Sequence, residues 1–232
     1  MVIYVNGDSH AAAAEAAVPH GWAEDDPFYY GLGKRAHPEN ERVSFGCEIA
    51  NRMNAILDLD AQSGASNARI LRTTRDYIAR TNPDKDTLVI VQWSTWEREE
   101  WLIDQEYYQV GASGTDSVPE SHAAQYKQFV TEIDWTAKRA HWHDEIWQFH
   151  NELMDQKIRH VFFNGNNHFF GLPDQRTWNH AYMNPYDSHG TYDSVLRENG
   201  YKTVNNHSWH FGAEAHCFWA NFVLQYIHSH NI

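Results

Sequence analysis

The sequence predicts an α/β fold in which helices cover both faces of a mostly parallel β-sheet, giving three layers. Short apolar segments alternate along the chain with helical segments, which is the pattern of repeated β-α units. The two clearest strands, 87–94 and 159–165, are apolar runs typical of strands covered on both faces. The chain has 232 residues, of which 42% are hydrophobic, so we expect a single domain spanning 1–232 around one large core.

The predicted elements follow the order strand, helix, strand, helix, strand, helix, strand, loop, helix. The first strand, 2–5, leads through Gly7-Asp8-Ser9 into an alanine-rich helix over 11–17. Residues 19–41 are predicted as a long loop above the sheet, and such loops often serve a binding site. The other predicted elements are a strand over 56–60, helices over 45–57, 68–80, 122–156 and 213–227, and a short helix over 192–198.

Four predicted turns follow strands and therefore meet at one edge of a parallel sheet, where α/β folds bind ligands. They are 7–9, 63–64, 92–95 and 164–167. Ser9 lies between the first strand and the predicted helix, where backbone N–H groups and the helix dipole favour developing negative charge. The position suits a nucleophile. It equally suits an N-cap residue.

Composition argues against several classes of partner. The formal net charge of −13 without a basic patch disfavours nucleic acid and anionic membrane surfaces. No signal peptide or transmembrane segment is visible, and two distant cysteines without a C-x-x-C motif indicate a reducing compartment, so we expect a cytoplasmic protein. The 16 histidines show no metal-ligand spacing, and we predict no metal and no cofactor. The oligomeric state stays open.

Three short motifs give the chain a resemblance to the SGNH (GDSL-type) hydrolases, whose fold is a flavodoxin-like three-layer sandwich. Gly7-Asp8-Ser9 resembles the first block of that family, which implies that Ser9 is the nucleophile. The segment 63–67 resembles the second block, in which Gly64 matches the glycine whose N–H helps form the oxyanion hole. The segment 210–216 resembles the fifth block, so that His210 takes the place of the catalytic base and Phe211 replaces the usual proline.

The third block of the family, G-x-N-D, is the first departure. Ser94 stands where the resemblance places an asparagine that donates to the oxyanion, so its hydroxyl is a candidate substitute. Asn67 and Arg98 are further candidates for contacts with the oxyanion or the substrate. Loss of one such donor costs roughly 3–4 kcal/mol in the barrier, so this exchange bears on both activity and substrate.

The acid that orients the base is the second departure. The family has an aspartate three residues before the histidine, and His207 occupies that position here. His210 is therefore oriented by a backbone carbonyl, by another acid such as Asp187 or Asp193, or by nothing, as in a Ser-His dyad. Loss of the orienting acid from a triad costs about 10⁴ in rate.

Three functions remain in view from the sequence. The first is a serine hydrolase of small acyl esters such as an O-acetylated carbohydrate, with no other partner required. The second is a catalytically silent SGNH-fold protein that binds carbohydrate. The third, a metal-dependent phosphoesterase, is suggested by scattered Asp, His and Asn residues, namely Asp8, His10, Asn166, Asn167 and His168. Aromatic side chains available for stacking on sugar faces, or for ordinary loop packing, are Trp22, Phe28, Tyr29, Tyr30, Trp93 and Trp96.

Overall fold

The structure, a computed structural model, describes residues 1–19, 22–23, 26–28, 35–112 and 118–232. The strands are β1 (Val2–Asn6), β2 (Ile56–Leu59), β3 (Thr87–Trp93), β4 (Glu99–Ile103), β5 (Glu106–Val110) and β6 (Arg159–Asn164). The helices are α1 (Pro38–Val43), α2 (Phe45–Arg52), α3 (Asn67–Thr81), α4 (Ala123–Thr131), α5 (Trp135–Asp155), α6 (Tyr192–Glu198) and α7 (Ala213–His230).

The central sheet has four parallel strands in the spatial order β2-β1-β3-β6. Phe162 of β6 forms a further parallel bridge with Tyr182, which extends the sheet beyond β6. This order, in which the chain grows first to one side of β1 and then to the other, is the flavodoxin-like one. The predicted α/β fold with a mostly parallel sheet is confirmed.

Helices cover both faces of the sheet, because successive residues of each strand point to opposite sides. On one face, Ile3, Leu88 and Val161 pack with helices α2 and α7. On the other face, Tyr4, Val89 and Phe162 pack with helices α3 and α5. Every residue of β3 is buried, which explains why its sequence is a continuous apolar run rather than an alternating one.

A β-hairpin, β4–β5, projects from the segment that follows β3. Its two turn residues, Asp104 and Gln105, both have positive φ, the geometry of a tight two-residue turn. Glu100 of the hairpin accepts two hydrogen bonds from Arg72 of α3, at 2.7 and 2.8 Å. The Gln109 side chain accepts the Ser66 N–H at 2.8 Å, so the hairpin braces the start of α3.

Most predicted elements are present with small changes in their ends. The predicted helix over 122–156 is wrong as one unit: it is two helices, since the chain leaves the helical conformation after Thr131 and Asp134 caps the next helix. The pattern of the sequence does not predict the hairpin within 95–121 or helix α1, which begins in the predicted loop 19–41 and ends at Val43. No helix among the described residues has the length and apolar character needed to cross a membrane.

Candidate active site

One buried side chain, Gln92 of β3, lies between the turns that follow β1 and β6. Its Oε1 accepts the Asp8 N–H at 3.0 Å, and its Nε2 donates to the Trp93 carbonyl at 2.8 Å. Gly7 and Gly165 leave space for this amide. A Cβ at Gly7 would lie 2.7 Å from Gln92 Oε1, and a Cβ at Gly165 would lie 2.4 Å from Gln92 Nε2. The two glycines are therefore required by close approach, and Gln92 fixes the turn that carries Ser9.

The alanine-rich segment after Ser9 is a series of turns, so the predicted helix over 11–17 is wrong. Ala13 and Glu15 have left-handed backbone angles, φ 52° and 61°, which a right-handed helix cannot contain. Small side chains fit this segment because Ala11 and Ala12 are buried against the core. Packing overrides helix propensity here, and Ser9 does not lie at the N-terminus of a helix.

Ser9 and Gly64 lie in neighbouring turns at this edge of the sheet. The Gln62 N–H donates to the Gly7 carbonyl at 3.1 Å, which holds the two turns together. Neither the hydroxyl nor the backbone N–H of Ser9 makes a hydrogen bond within the described part of the chain, and the Gly64 N–H makes none there either. Gly64 has φ +76°, which favours glycine. Both N–H groups remain available to a ligand.

His210 comes to the same place from the C-terminal part of the chain. Its ring lies edge-on to that of His10, with the ring centroids 5.5 Å apart, so it adjoins the Ser9 turn. Its Nδ1 pairs with Glu15 Oε2 at 2.6 Å. No hydrogen bond joins His210 to Ser9 within the described residues, and Nε2 of His210 is left unengaged by them.

The acid beside His210 is thus neither of the two aspartates named from the sequence. Asp193 pairs with Arg197 at 2.8 Å, one helical turn away on α6. Asp187 accepts the His189 N–H at 2.9 Å within its own turn. The carboxylate beside His210 belongs to Glu15, whose only sequence signal was to be the one charged residue in an alanine-rich segment.

Ser94 and Arg98 are tied to Asp8. The Ser94 hydroxyl donates to Asp8 Oδ2 at 2.8 Å, so its proton is engaged by that carboxylate. Arg98 Nη1 donates to the same oxygen at 3.1 Å, to Ser94 Oγ at 2.9 Å and to the Ala65 carbonyl at 3.4 Å. Burial opposes the charge of Asp8, but His10, Arg98 and these hydrogen bonds together hold its pKa below the ordinary value.

Asn67 is a structural residue of the same edge. It is fully buried, its Oδ1 accepts the Ser94 N–H at 2.7 Å, and its Nδ2 donates to the Ser94 carbonyl at 3.2 Å. Both ends of its amide are therefore used to hold the chain after β3. A contact of Asn67 with the oxyanion or the substrate stays a prediction.

Several solved structures are similar to this chain, three esterases among them. A carbohydrate esterase, whose active site displays divergent catalytic and non-catalytic binding functions, aligns with TM-score 0.46 and 15% identity over 98% of this chain and 68% of its own. The psychrotrophic esterase EstA from Pseudoalteromonas sp., inhibited by monoethylphosphonate, aligns with TM-score 0.46 and 10% identity over 98% and 97%. The acetyl xylan esterase Est2A from Butyrivibrio proteoclasticus aligns with TM-score 0.42 and 13% identity over 98% and 63%.

No protein-family model matches this sequence, and no curated protein matches it either. The similarities to solved structures are distant. Roles for individual residues are therefore argued from the geometry of this chain alone.

Two further buried histidines surround the site. Burial lowers the pKa of His10, although the Asp8 carboxylate opposes that shift. Burial, with His10 and His210 nearby, lowers the pKa of His216 to about 3. His216 accepts the Phe45 N–H on Nδ1 at 3.3 Å and is thereby committed to packing. Of these three imidazoles, that of His210 is partly exposed, whereas those of His10 and His216 are buried.

The aromatic residues named from the sequence divide into two groups. Trp93 and Trp96 are buried in the core, where Trp96 stacks on Phe169, so neither offers a stacking face to a sugar. The ring of Trp22 stacks on that of His37, with the ring centroids 3.5 Å apart. Phe28 lies edge-on to the same His37 ring, and its side chain is 47% exposed. Tyr29 and Tyr30 lie outside the described residues.

Two of the residues that suggested a phosphoesterase accept hydrogen bonds from backbone N–H groups. Asn167 accepts the Trp96 N–H at 3.1 Å, and His168 accepts the Phe170 N–H at 3.3 Å. Within the ranges that the structure describes, no three His, Cys, Asp or Glu side chains are placed to hold a metal ion.

Proposed function

We propose that this protein is a serine ester hydrolase of the SGNH type, with Ser9 as nucleophile and His210 as general base. The observation that carries the proposal is the position of His210. Its ring packs against His10, the residue next to Ser9, while a carboxylate engages Nδ1 and leaves Nε2 for proton transfer. A nucleophile with a base beside it, and a third group on that base, is the arrangement that activates a serine hydroxyl.

The proposed reaction has two steps. The Ser9 hydroxyl oxygen attacks the acyl carbonyl while His210 Nε2 takes its proton and returns it to the departing alcohol. A water molecule then attacks the acyl-enzyme with His210 again as base, which releases the acid and restores Ser9. The Ser9–His210 hydrogen bond that this requires forms when the substrate is bound, as catalytic hydrogen bonds often tighten only then.

The negative charge of the tetrahedral intermediate needs hydrogen-bond donors. We assign the backbone N–H groups of Ser9 and Gly64 to this role. Arg98 is the third donor in the proposal: its Nη1 bonds Asp8 and the Ala65 carbonyl, which are the neighbours of Ser9 and Gly64. Its Nε and Nη2 make no hydrogen bond within the described residues. A guanidinium so placed supplies the donor that Ser94 cannot.

The proposed substrate is a small acyl ester, and the O-acetyl group of a carbohydrate is the class to test first. Arg35 forms a bridge with Gln62, so the segment that carries His37 lies next to the Gly64 turn. The aromatic rings of Trp22 and Phe28 pack on His37 and provide an apolar surface there. Sugar rings commonly pack on such surfaces.

A fluorophosphonate probe tests the proposal independently of the natural substrate, because it reacts with activated serines. We expect it to label the wild-type protein at Ser9, and we expect hydrolysis of p-nitrophenyl acetate. Ser9→Ala should lose both, while Ser121→Ala, which alters an exposed serine far along the chain, should lose neither. Absence of labelling in the folded wild-type protein would favour the silent carbohydrate-binding alternative. Turnover that persists in Ser9→Ala would exclude Ser9 as nucleophile.

A further inference from the structure

We propose that Glu15 is the positioning residue for His210, so that the acid of the triad comes from the segment following the nucleophile. This inference rests on the proposed hydrolase function. Glu15 Oε2 pairs with His210 Nδ1 at 2.6 Å, the length of a charge-assisted hydrogen bond. His207, at the position where the resemblance places an aspartate, is exposed, and its N–H bonds to Asn205.

The carboxylate determines the tautomer of the imidazole. A carboxylate accepts only, so Nδ1 carries the proton in this pair and Nε2 keeps the lone pair that a general base needs. When His210 takes the proton of Ser9, the resulting imidazolium stays beside the Glu15 carboxylate. Glu15 remains ionised throughout and gains no proton.

Ser208 holds the carboxylate in place. Its hydroxyl donates to the same Glu15 Oε2 and accepts the His210 backbone N–H at 2.9 Å. The carboxylate oxygen is thus held by one donor on the imidazole and one on the chain just before it. Two donors on one oxygen restrict rotation of the Glu15 side chain and, through it, the ring of His210.

The backbone conformation around Glu15 also supports its contact with His210. Ala13 and Glu15 both adopt the left-handed region, which is unfavourable for a residue with a Cβ. Such conformations persist where surrounding structure demands them, and they gather at functional sites. The Asn205 side chain donates to the Pro19 carbonyl at 2.7 Å, so the segment after Glu15 is fastened to the loop that carries His210.

Glu15→Gln tests the proposal, because it keeps the shape of the side chain and removes its charge. We expect kcat for p-nitrophenyl acetate to fall roughly 10²- to 10⁴-fold, with KM nearly unchanged. The low-field proton resonance of the Nδ1–H beside a carboxylate should be present in the wild-type protein and absent from the variant. Glu15→Asp keeps the charge at a shorter reach and should retain more activity than Glu15→Gln.

Glu214→Gln is the matched control, since it removes one exposed carboxylate four residues from His210. It should leave kcat and the low-field resonance as in the wild type. If kcat of folded Glu15→Gln stays within about threefold of wild type while Ser9→Ala is inactive, the role of Glu15 is overturned and the hydrolase proposal stands. If Ser9→Ala remains active, the hydrolase proposal fails, and the role of Glu15 with it.

Discussion

Replacement of Gly7 by alanine tests how the turn that carries Ser9 is held. The added Cβ would lie 2.7 Å from both the Ala11 Cβ and the Gln92 Oε1, and 3.0 Å from the Gln92 Cβ. These atoms are buried, so the turn must move or Gln92 must give up its hydrogen bond to the Asp8 N–H. We expect the turn to shift relative to β3.

Three contributions determine how far Gly7→Ala changes the free energy of unfolding. Overpacking a well-packed site costs about 1–3 kcal/mol, and loss of the Gln92–Asp8 hydrogen bond costs about 1 kcal/mol more. Replacing glycine reduces the freedom of the unfolded chain and returns about 0.4–1 kcal/mol. Gly7→Ala should therefore lower the free energy of unfolding by about 1–3.5 kcal/mol.

Urea unfolding followed by tryptophan fluorescence measures this change, and the rate of fluorophosphonate labelling reports on Ser9. Gly212→Ala is the control: the nearest atom to its Cβ is Val204 Cγ1 at 3.9 Å, so its stability should change by less than about 1 kcal/mol. We expect slower labelling in Gly7→Ala only. If Gly7→Ala matched Gly212→Ala in both stability and labelling rate, close approach to Gln92 would not explain the glycine.

Two further predictions concern charge. Arg98→Lys keeps a cation beside Asp8 but loses the branched guanidinium donor, so kcat should fall roughly 10²- to 10³-fold. An unchanged kcat would exclude Arg98 from the proposed oxyanion site. Stability should also fall between pH 7 and pH 5, because burial holds the pKa of three histidines well below the value near 6.5 of an unfolded chain. The unfolded state then binds more protons as the pH drops, which lowers the free energy of unfolding by on the order of 2 kcal/mol for each histidine by pH 5. Equal urea midpoints at pH 7 and pH 5 would contradict this. The three, with pKa values of about 4, 4 and 3, are His150, His160 and His216.

The elements that the sequence predicted best are those whose pattern reflects burial. Strand β3 reads as a continuous apolar run because both of its faces are covered, and the predicted helix over 192–198 is α6. The hairpin β4–β5 was not predicted, since its turn uses Asp104 and Gln105 at positive φ instead of a glycine. The alanine-rich segment was predicted as a helix because propensity is local, whereas its conformation depends on contacts made far along the chain.

The sequence by itself determined the order along the chain of the four strands of the central sheet and, through it, the edge of the sheet where the turns of Ser9 and Gly64 meet. That inference needs only the rule that parallel strands end together. Which acid faces His210 was decided by the tertiary structure. Glu15 reaches it because two left-handed residues turn its loop toward the segment around Ser208, and a contact between such distant parts of the chain leaves no mark in local sequence. The same holds for Ser94, whose hydroxyl is directed by the ion pair of the buried Asp8 with the partly buried Arg98.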